Sequence, residues 1–157
     1  MAHAMGIKSE ATILYGHIET MEERVDHLVR LREIQDHTGG LWAFIPLGYQ
    51  VGSTMLVPHP TPPTDDLKMI AVARLMLDNV PHIKSYWVML GEATAALALP
   101  FGADDIDGTI GKERIAHVAQ ADSPAGLARE RMARLIKTIG RIPVERNAVY
   151  NDLKVYA

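Results

Sequence analysis

The 157-residue sequence predicts an α/β fold on a parallel sheet. Three observations carry that reading. Strand-like and helix-like segments alternate four times. The run at residues 41–47, Leu-Trp-Ala-Phe-Ile-Pro-Leu, lacks the in–out alternation of a half-exposed strand and reads as buried on both faces. Glycine or proline punctuates most junctions. Four βα units amount to half of a (β/α)8 barrel. An open doubly wound sheet is the alternative, although no glycine-rich phosphate loop follows any strand. The expected division is 1–110 for the four units and 111–157 for a C-terminal helix and tail packed on them.

Taken in order, Ala2-His3-Ala4-Met5-Gly6 reads as a last helical turn with its glycine cap. Residues 8–15 form a strand with Ala11, Ile13 and Tyr15 on one face and Thr12 and Leu14 on the other. Gly16-His17-Ile18-Glu19 turns the chain. Thr20 with Glu23 is a capping box, and Met21, Val25, Leu28, Leu31 and Ile34 give the next helix an apolar face. Glu22, Arg24, Asp26, Arg30 and Arg32 are expected outward. Gly39-Gly40 stops it. The second strand should end near Ile45, because Pro46 cannot donate to a ladder. Residues 48–64, with Pro58, Pro60, Pro62 and Pro63, form a long loop of the kind that acts as a lid or binding loop.

Thr64-Asp65-Asp66 opens a helix with acidic residues at its positive end. Leu67, Ile70, Ala71, Leu75 and Leu77 supply its buried face. Residues 83–90 read as a third buried strand and 91–99 as a short Ala-rich helix. The fourth strand, Ala103-Asp104-Asp105-Ile106-Asp107-Gly108-Thr109-Ile110, is short and acidic. Its carboxylates either line the ligand-binding end of a parallel sheet or sit as solvated turn residues. Residues 113–120 are ambiguous. Asp122-Ser123-Pro124 starts a helix whose apolar face is Leu127, Met132, Leu135, Ile136 and Ile139, ending at Gly140. The tail, 141–157, is too regular in its mixed character to be disordered, and its pattern matches neither a helix nor a strand firmly.

Hydrophobic content of 48%, charged content of 22% and a net charge of −3 describe an ordinary globular chain. Nothing here supplies the basic field that nucleic acid or an anionic membrane requires. No apolar run approaches the ~20 residues of a membrane span. The start lacks a Lys/Arg-led apolar core, so no signal peptide is expected and a cytoplasmic location fits. There is no cysteine, which removes disulfides, thiolate zinc sites and cysteine-held iron–sulfur clusters from this chain. The histidines lack metal spacing, and Ser9, Ser53, Ser85 and Ser123 lack a nucleophile elbow. Met69, Met76 and Met89 read as core filler. His17 beside Glu19 could bind polar groups or move a proton, or simply form a turn over a helix N-terminus. Arg141 and Arg146 could grip a carboxylate or form surface ion pairs.

Several stretches together resemble one family. They include Tyr15-Gly16-His17-Ile18-Glu19-Thr20, Glu22-Glu23-Arg24-Val25, Gln35-Asp36-His37-Thr38-Gly39-Gly40, Ala43-Phe44-Ile45-Pro46-Leu47, Gly102-Ala103-Asp104-Asp105-Ile106-Asp107-Gly108-Thr109 and Pro143-Val144-Glu145-Arg146. In order and spacing they are similar to the C-terminal half of aminofutalosine synthase, a radical S-adenosylmethionine enzyme of the futalosine route to menaquinone. Dehypoxanthine futalosine cyclase and the deazaflavin-forming relatives share the middle motifs, and the acidic run favours the synthase.

The resemblance implies strands five to eight of a radical barrel. It also implies S-adenosylmethionine and a [4Fe–4S] cluster, the cluster being held by cysteines of an N-terminal half, and an adenosyl radical that adds to a carboxyvinyloxybenzoate. Leu14, Gly16 and Glu19 match a Gly-x-Ile-x-Gly-x-x-Glu motif that helps hold S-adenosylmethionine, while Thr12 departs from its first glycine. Phe44, Ile45 and Pro46 would lie near the adenine. His17, Asp105 and Arg146 are the candidates for substrate contact. No metal-ligating residue is expected. The chain is expected to be inactive alone, either lacking its N-terminal half-barrel or acting as a dimerising half-barrel that covers the exposed strand at Ala11.

Overall fold

A computed structural model describes residues 1–52, 56–108 and 126–157. After a single 3-10 turn (His3–Met5) capped by Gly6, the chain runs β1 (Ser9–Tyr15), α1 (Met21–Thr38), β2 (Leu41–Gly48), α2 (Pro63–Met76) and β3 (His82–Tyr86). Two short helices follow, α3 (Trp87–Leu90) and α4 (Glu92–Leu97), then β4 (Asp105–Asp107), α5 (Arg129–Thr138), β5 (Val144–Arg146) and β6 (Asp152–Val155). β1 to β4 form one parallel sheet in sequential order. Sequential parallel strands without a switch point match a partial (β/α) barrel better than the doubly wound alternative. Thr109, Ile110, residues 113–120, Asp122-Ser123-Pro124, Ser53 and the expected division at 110/111 lie outside the described residues.

Paired residues share a sheet face. Ala11, Ile13, Tyr15, Phe44 and Ile83 point to the helices and meet Leu28, Ile70, Ala73 and Trp87 in the core. The opposite face carries Thr12 beside Ile45, Ala43 beside His82, Lys84 beside Asp105 and Tyr86 beside Asp107. In a barrel this second face is the interior.

Several elements depart from the sequence reading. β2 continues through Pro46 to Gly48. The Tyr49 amide donates to the Tyr15 carbonyl at 2.7 Å, so alternate amides face β1 and Pro46 faces the other edge. There the ladder to β3 has already ended at Phe44, and no donor is missed. β3 ends at Tyr86, and Trp87–Leu90 winds into a helical turn that buries Trp87.

Helix α1 has the expected capping box, but Met21, Val25 and Ile34 are exposed. Leu28 and Gln35 face the sheet instead. The Gln35 amide donates to the Leu41 and Asn79 carbonyls and its oxygen accepts the Leu41 amide, so a polar side chain is satisfied where an apolar one is expected. Arg24 turns inward rather than outward. In α2, Leu75 is exposed, and Met69, Ile70 and Ala73 form the buried face. The tail is an antiparallel β5–β6 pair, with the Tyr156 hydroxyl donating to Glu145 at 2.9 Å.

Candidate functional site

The C-terminal ends of β1 and β2 bring together part of the residues singled out from sequence. Gly16 has φ +86°, the left-handed region that favours glycine, and a Cβ there would lie 1.9 Å from Thr61 Oγ1. The turn therefore packs directly against the proline-rich loop. Glu19 folds back over it. One carboxylate oxygen accepts the Gly16 amide at 2.6 Å and Arg24 Nε at 2.7 Å, and the other accepts the His17 amide at 2.9 Å. Burial alone would raise this carboxyl; the two amides and Arg24 outweigh it and hold it below its ordinary range. The His17 Nδ1 lies 2.7 Å from the Ile18 amide nitrogen and 3.1 Å from a Glu19 oxygen, and its Nε2 lies 3.1 Å from the Leu14 carbonyl oxygen. Leu14, on the interior face, is 48% exposed.

Under this turn the Tyr15 hydroxyl donates to Asp66 at 2.6 Å. Burial pushes the Tyr15 hydroxyl up, and Asp66 adds to it; burial likewise pushes the Asp66 carboxyl up, against the Tyr15 hydrogen bond. A cavity of about 630 Å³ opens here, lined among others by Tyr49, Gln50, Thr61, Asp66, Glu92 and Arg131. The Thr61 hydroxyl is buried with no hydrogen-bond partner among the described residues. Of Phe44, Ile45 and Pro46, only Ile45 turns its side chain to the interior face; Phe44 is buried against the helices.

Asp105 and Arg146 lie together at the opposite end, where the strands begin. Arg146 Nε reaches both Asp105 oxygens at 3.1 and 3.2 Å, and the Tyr150 hydroxyl donates to Asp105 at 3.2 Å. Tyr150 stacks on His82 with centroids 3.7 Å apart, and the Arg146 guanidinium lies 4.2 Å over its ring. Tyr150 holds φ +60°, a strained value for a non-glycine residue that these contacts maintain. His82 Nδ1 meets Asp104 at 2.6 Å, and Asp104 also accepts Arg74 at 2.8 Å and the Ile83 amide at 2.8 Å. A cavity of about 550 Å³ lies between β4, α5 and the β5–β6 pair.

Between the two ends sits a residue the sequence reading did not single out. Lys84, with its side chain 5% exposed, bonds Glu10 at 2.5 Å and Asp107 at 2.8 Å. Burial alone would lower its ammonium; Asp107 and Glu10 outweigh that and raise it. Its signal was a lysine inside the apolar context of β3. Among the described residues no group of three His, Cys, Asp or Glu could hold a metal ion.

The profile described as the CofH/MqnC C-terminal region matches residues 38–156. The chain is 49% identical to aminodeoxyfutalosine synthase of Thermus thermophilus and 45% identical to that of Streptomyces coelicolor, each over 99% of this chain and 43% of the relative. It is 38% identical to 5-amino-6-(D-ribitylamino)uracil--L-tyrosine 4-hydroxyphenyl transferase 1 of Methanosarcina barkeri, over 99% of this chain and 44% of that protein. The chain spans under half the length of these relatives. It belongs to the CofH/MqnC C-terminal family, in agreement with the resemblance drawn from its motifs.

Proposed function

We propose that this chain forms the C-terminal wall of a radical S-adenosylmethionine enzyme of menaquinone biosynthesis that acts on a carboxyvinyloxybenzoate, as aminodeoxyfutalosine synthase does. The supporting observation is the higher identity to the two synthases, 49% and 45%, than to the 4-hydroxyphenyl transferase at 38%. The turn after β1 fits S-adenosylmethionine: Leu14 offers an apolar side chain on the interior face, and Gly16 lets Thr61 approach the turn with a hydroxyl that has no hydrogen-bond partner among the described residues. Ile45 extends that surface, with Phe44 and Pro46 shaping it through the backbone, and Glu19 fixes the turn. His17 stands at the rim for substrate. Asp105 and Arg146 are matched to each other and would reach substrate only by exchanging that pairing. The cofactor and cluster together supply an adenosyl radical when bound. With no cysteine in these 157 residues, this chain does not fit a cysteine-held cluster. Alone, the chain is inactive.

The test is a chimera in which this chain replaces the matching 43% of the Thermus thermophilus synthase. Turnover of the carboxyvinyloxybenzoate supports the reading. A folded chimera that is inactive on it, or active only on the transferase substrates, contradicts it. A second reading, a homodimer of half-barrels, draws on the outer edges of β1 and β4, which have no strand neighbour among the described residues. A monomer at micromolar concentration in light scattering removes it.

A further inference from the structure

Arg24 stands in the first turn of α1, where a cation opposes the helix dipole and gains nothing locally. Its side chain is only 15% exposed, and it reaches back five residues to Glu19. That spacing is outside the three- and four-residue pairs of a helix surface. Glu19 precedes the Thr20 cap, so the bond closes the turn onto the helix rather than decorating the helix. Arg24 Nε and Nη2 both converge on one Glu19 oxygen, at 2.7 and 2.6 Å. The same oxygen accepts the Gly16 amide. The guanidinium also lies 5.2 Å from the centroid of the Tyr15 ring, and the Tyr15 hydroxyl holds Asp66, whose amide donates to the Pro62 carbonyl at 3.3 Å. Thr61, one residue earlier, packs on Gly16.

We propose that Arg24 is a positioning residue: it locks the Glu19 carboxylate over the Gly16 and His17 amides and, through Tyr15 and Asp66, ties the turn after β1 to the loop after β2. The carboxylate is 12% exposed, and without the guanidinium it would hold a buried charge on amides alone. A lysine supplies charge but no planar fork, so it cannot both grip Glu19 and cover the Tyr15 ring as arginine does. The consequence for binding rests on the proposed function: two loops that meet the cofactor would be held in one arrangement before it arrives.

The test uses this chain without ligand. Amide hydrogen exchange is followed by NMR at Gly16 and His17, at Thr61 and Asp66, and at the core strand residues Phe44 and Ile83. Arg24→Met should speed exchange at Gly16 and His17 by about tenfold, as expected for losing one charged hydrogen-bond partner. It should shift the Thr61 and Asp66 amide signals and leave Phe44 and Ile83 within about twofold. Arg24→Lys should recover part of the protection at Gly16 and His17 but not the Thr61 and Asp66 signals. Unchanged exchange at Gly16 and His17, or an equal loss at every amide, overturns the proposal. Unmoved Thr61 and Asp66 signals overturn the link between loops. Should Arg24→Met fail to fold, Arg24→Lys gives the same contrast of selective against uniform loss. Because no ligand is used, failure here leaves the proposed function standing, and an inactive chimera leaves Arg24 standing.

Discussion

The two ends of the sheet use charge differently. Where the strands begin, Asp105, Arg146, Tyr150, His82 and Asp104 satisfy one another across β3, β4 and the β5–β6 pair. Where β1 and β2 end, Glu19 is consumed by its own turn, while Leu14 stays half-exposed and the Thr61 hydroxyl has no hydrogen-bond partner among the described residues. The first end is an internally paired floor beside the cavity of about 550 Å³. The second is an organised rim with unspent contacts, as ligand-binding ends of parallel sheets are. Lys84 stands between them and joins β1 to β4 across the interior face.

The contrast can be broken first at Gly16. Gly16→Ala meets Thr61 Oγ1 at 1.9 Å and takes a strained φ. The expected loss is about 3 kcal/mol in urea unfolding, combining overpacking with backbone strain. Lys84→Met should cost about 2 kcal/mol, below the roughly 3–5 kcal/mol of a fully buried broken pair, because Glu10 and Asp107 each keep about a third of their exposure. Tyr150→Ala should cost about 1–2 kcal/mol by losing the His82 stack and the Arg146 contact while relieving little strain. It should leave exchange at the Gly16 amide unchanged, which separates floor from rim.

The smallest effect is a pH dependence. The Glu19 carboxyl titrates lower folded than unfolded, so its stabilisation is fully present above the unfolded value and fades as pH falls through the folded one. Glu19→Gln should therefore be less stable than the parent by about 1 kcal/mol at pH 7, with the difference shrinking in acid. A constant difference across pH would assign the effect to packing instead.

Much of the frame was legible locally. The Thr20–Glu23 capping box, the βα alternation and the glycine turn after β1 are short-range signals, and all three appear. The misreadings share a cause: the deciding contact was distant or ran against residue type. Arg24 read as a solvated face because its partner precedes the helix. Pro46 read as a strand end because its edge, unpaired beyond Phe44, could not be known. The pairing of Arg146 with Asp105 is an addition rather than a misreading: the two are 41 residues apart, and no local pattern in the tail announces it. Trp87 belonged to an unbroken apolar run, and only its burial in a helical turn separates it from β3.

On the proposed function, this chain is one wall of a larger active site. The most direct measurement is the intact mass of the native polypeptide in its source cell, with iron and sulfide analysis of the purified material. The expected result is a polypeptide more than twice 17.3 kDa carrying both, or a 17.3 kDa chain held by a second polypeptide that carries them. A native 17.3 kDa protein, free of any partner chain and turning over the substrate by itself, would contradict it.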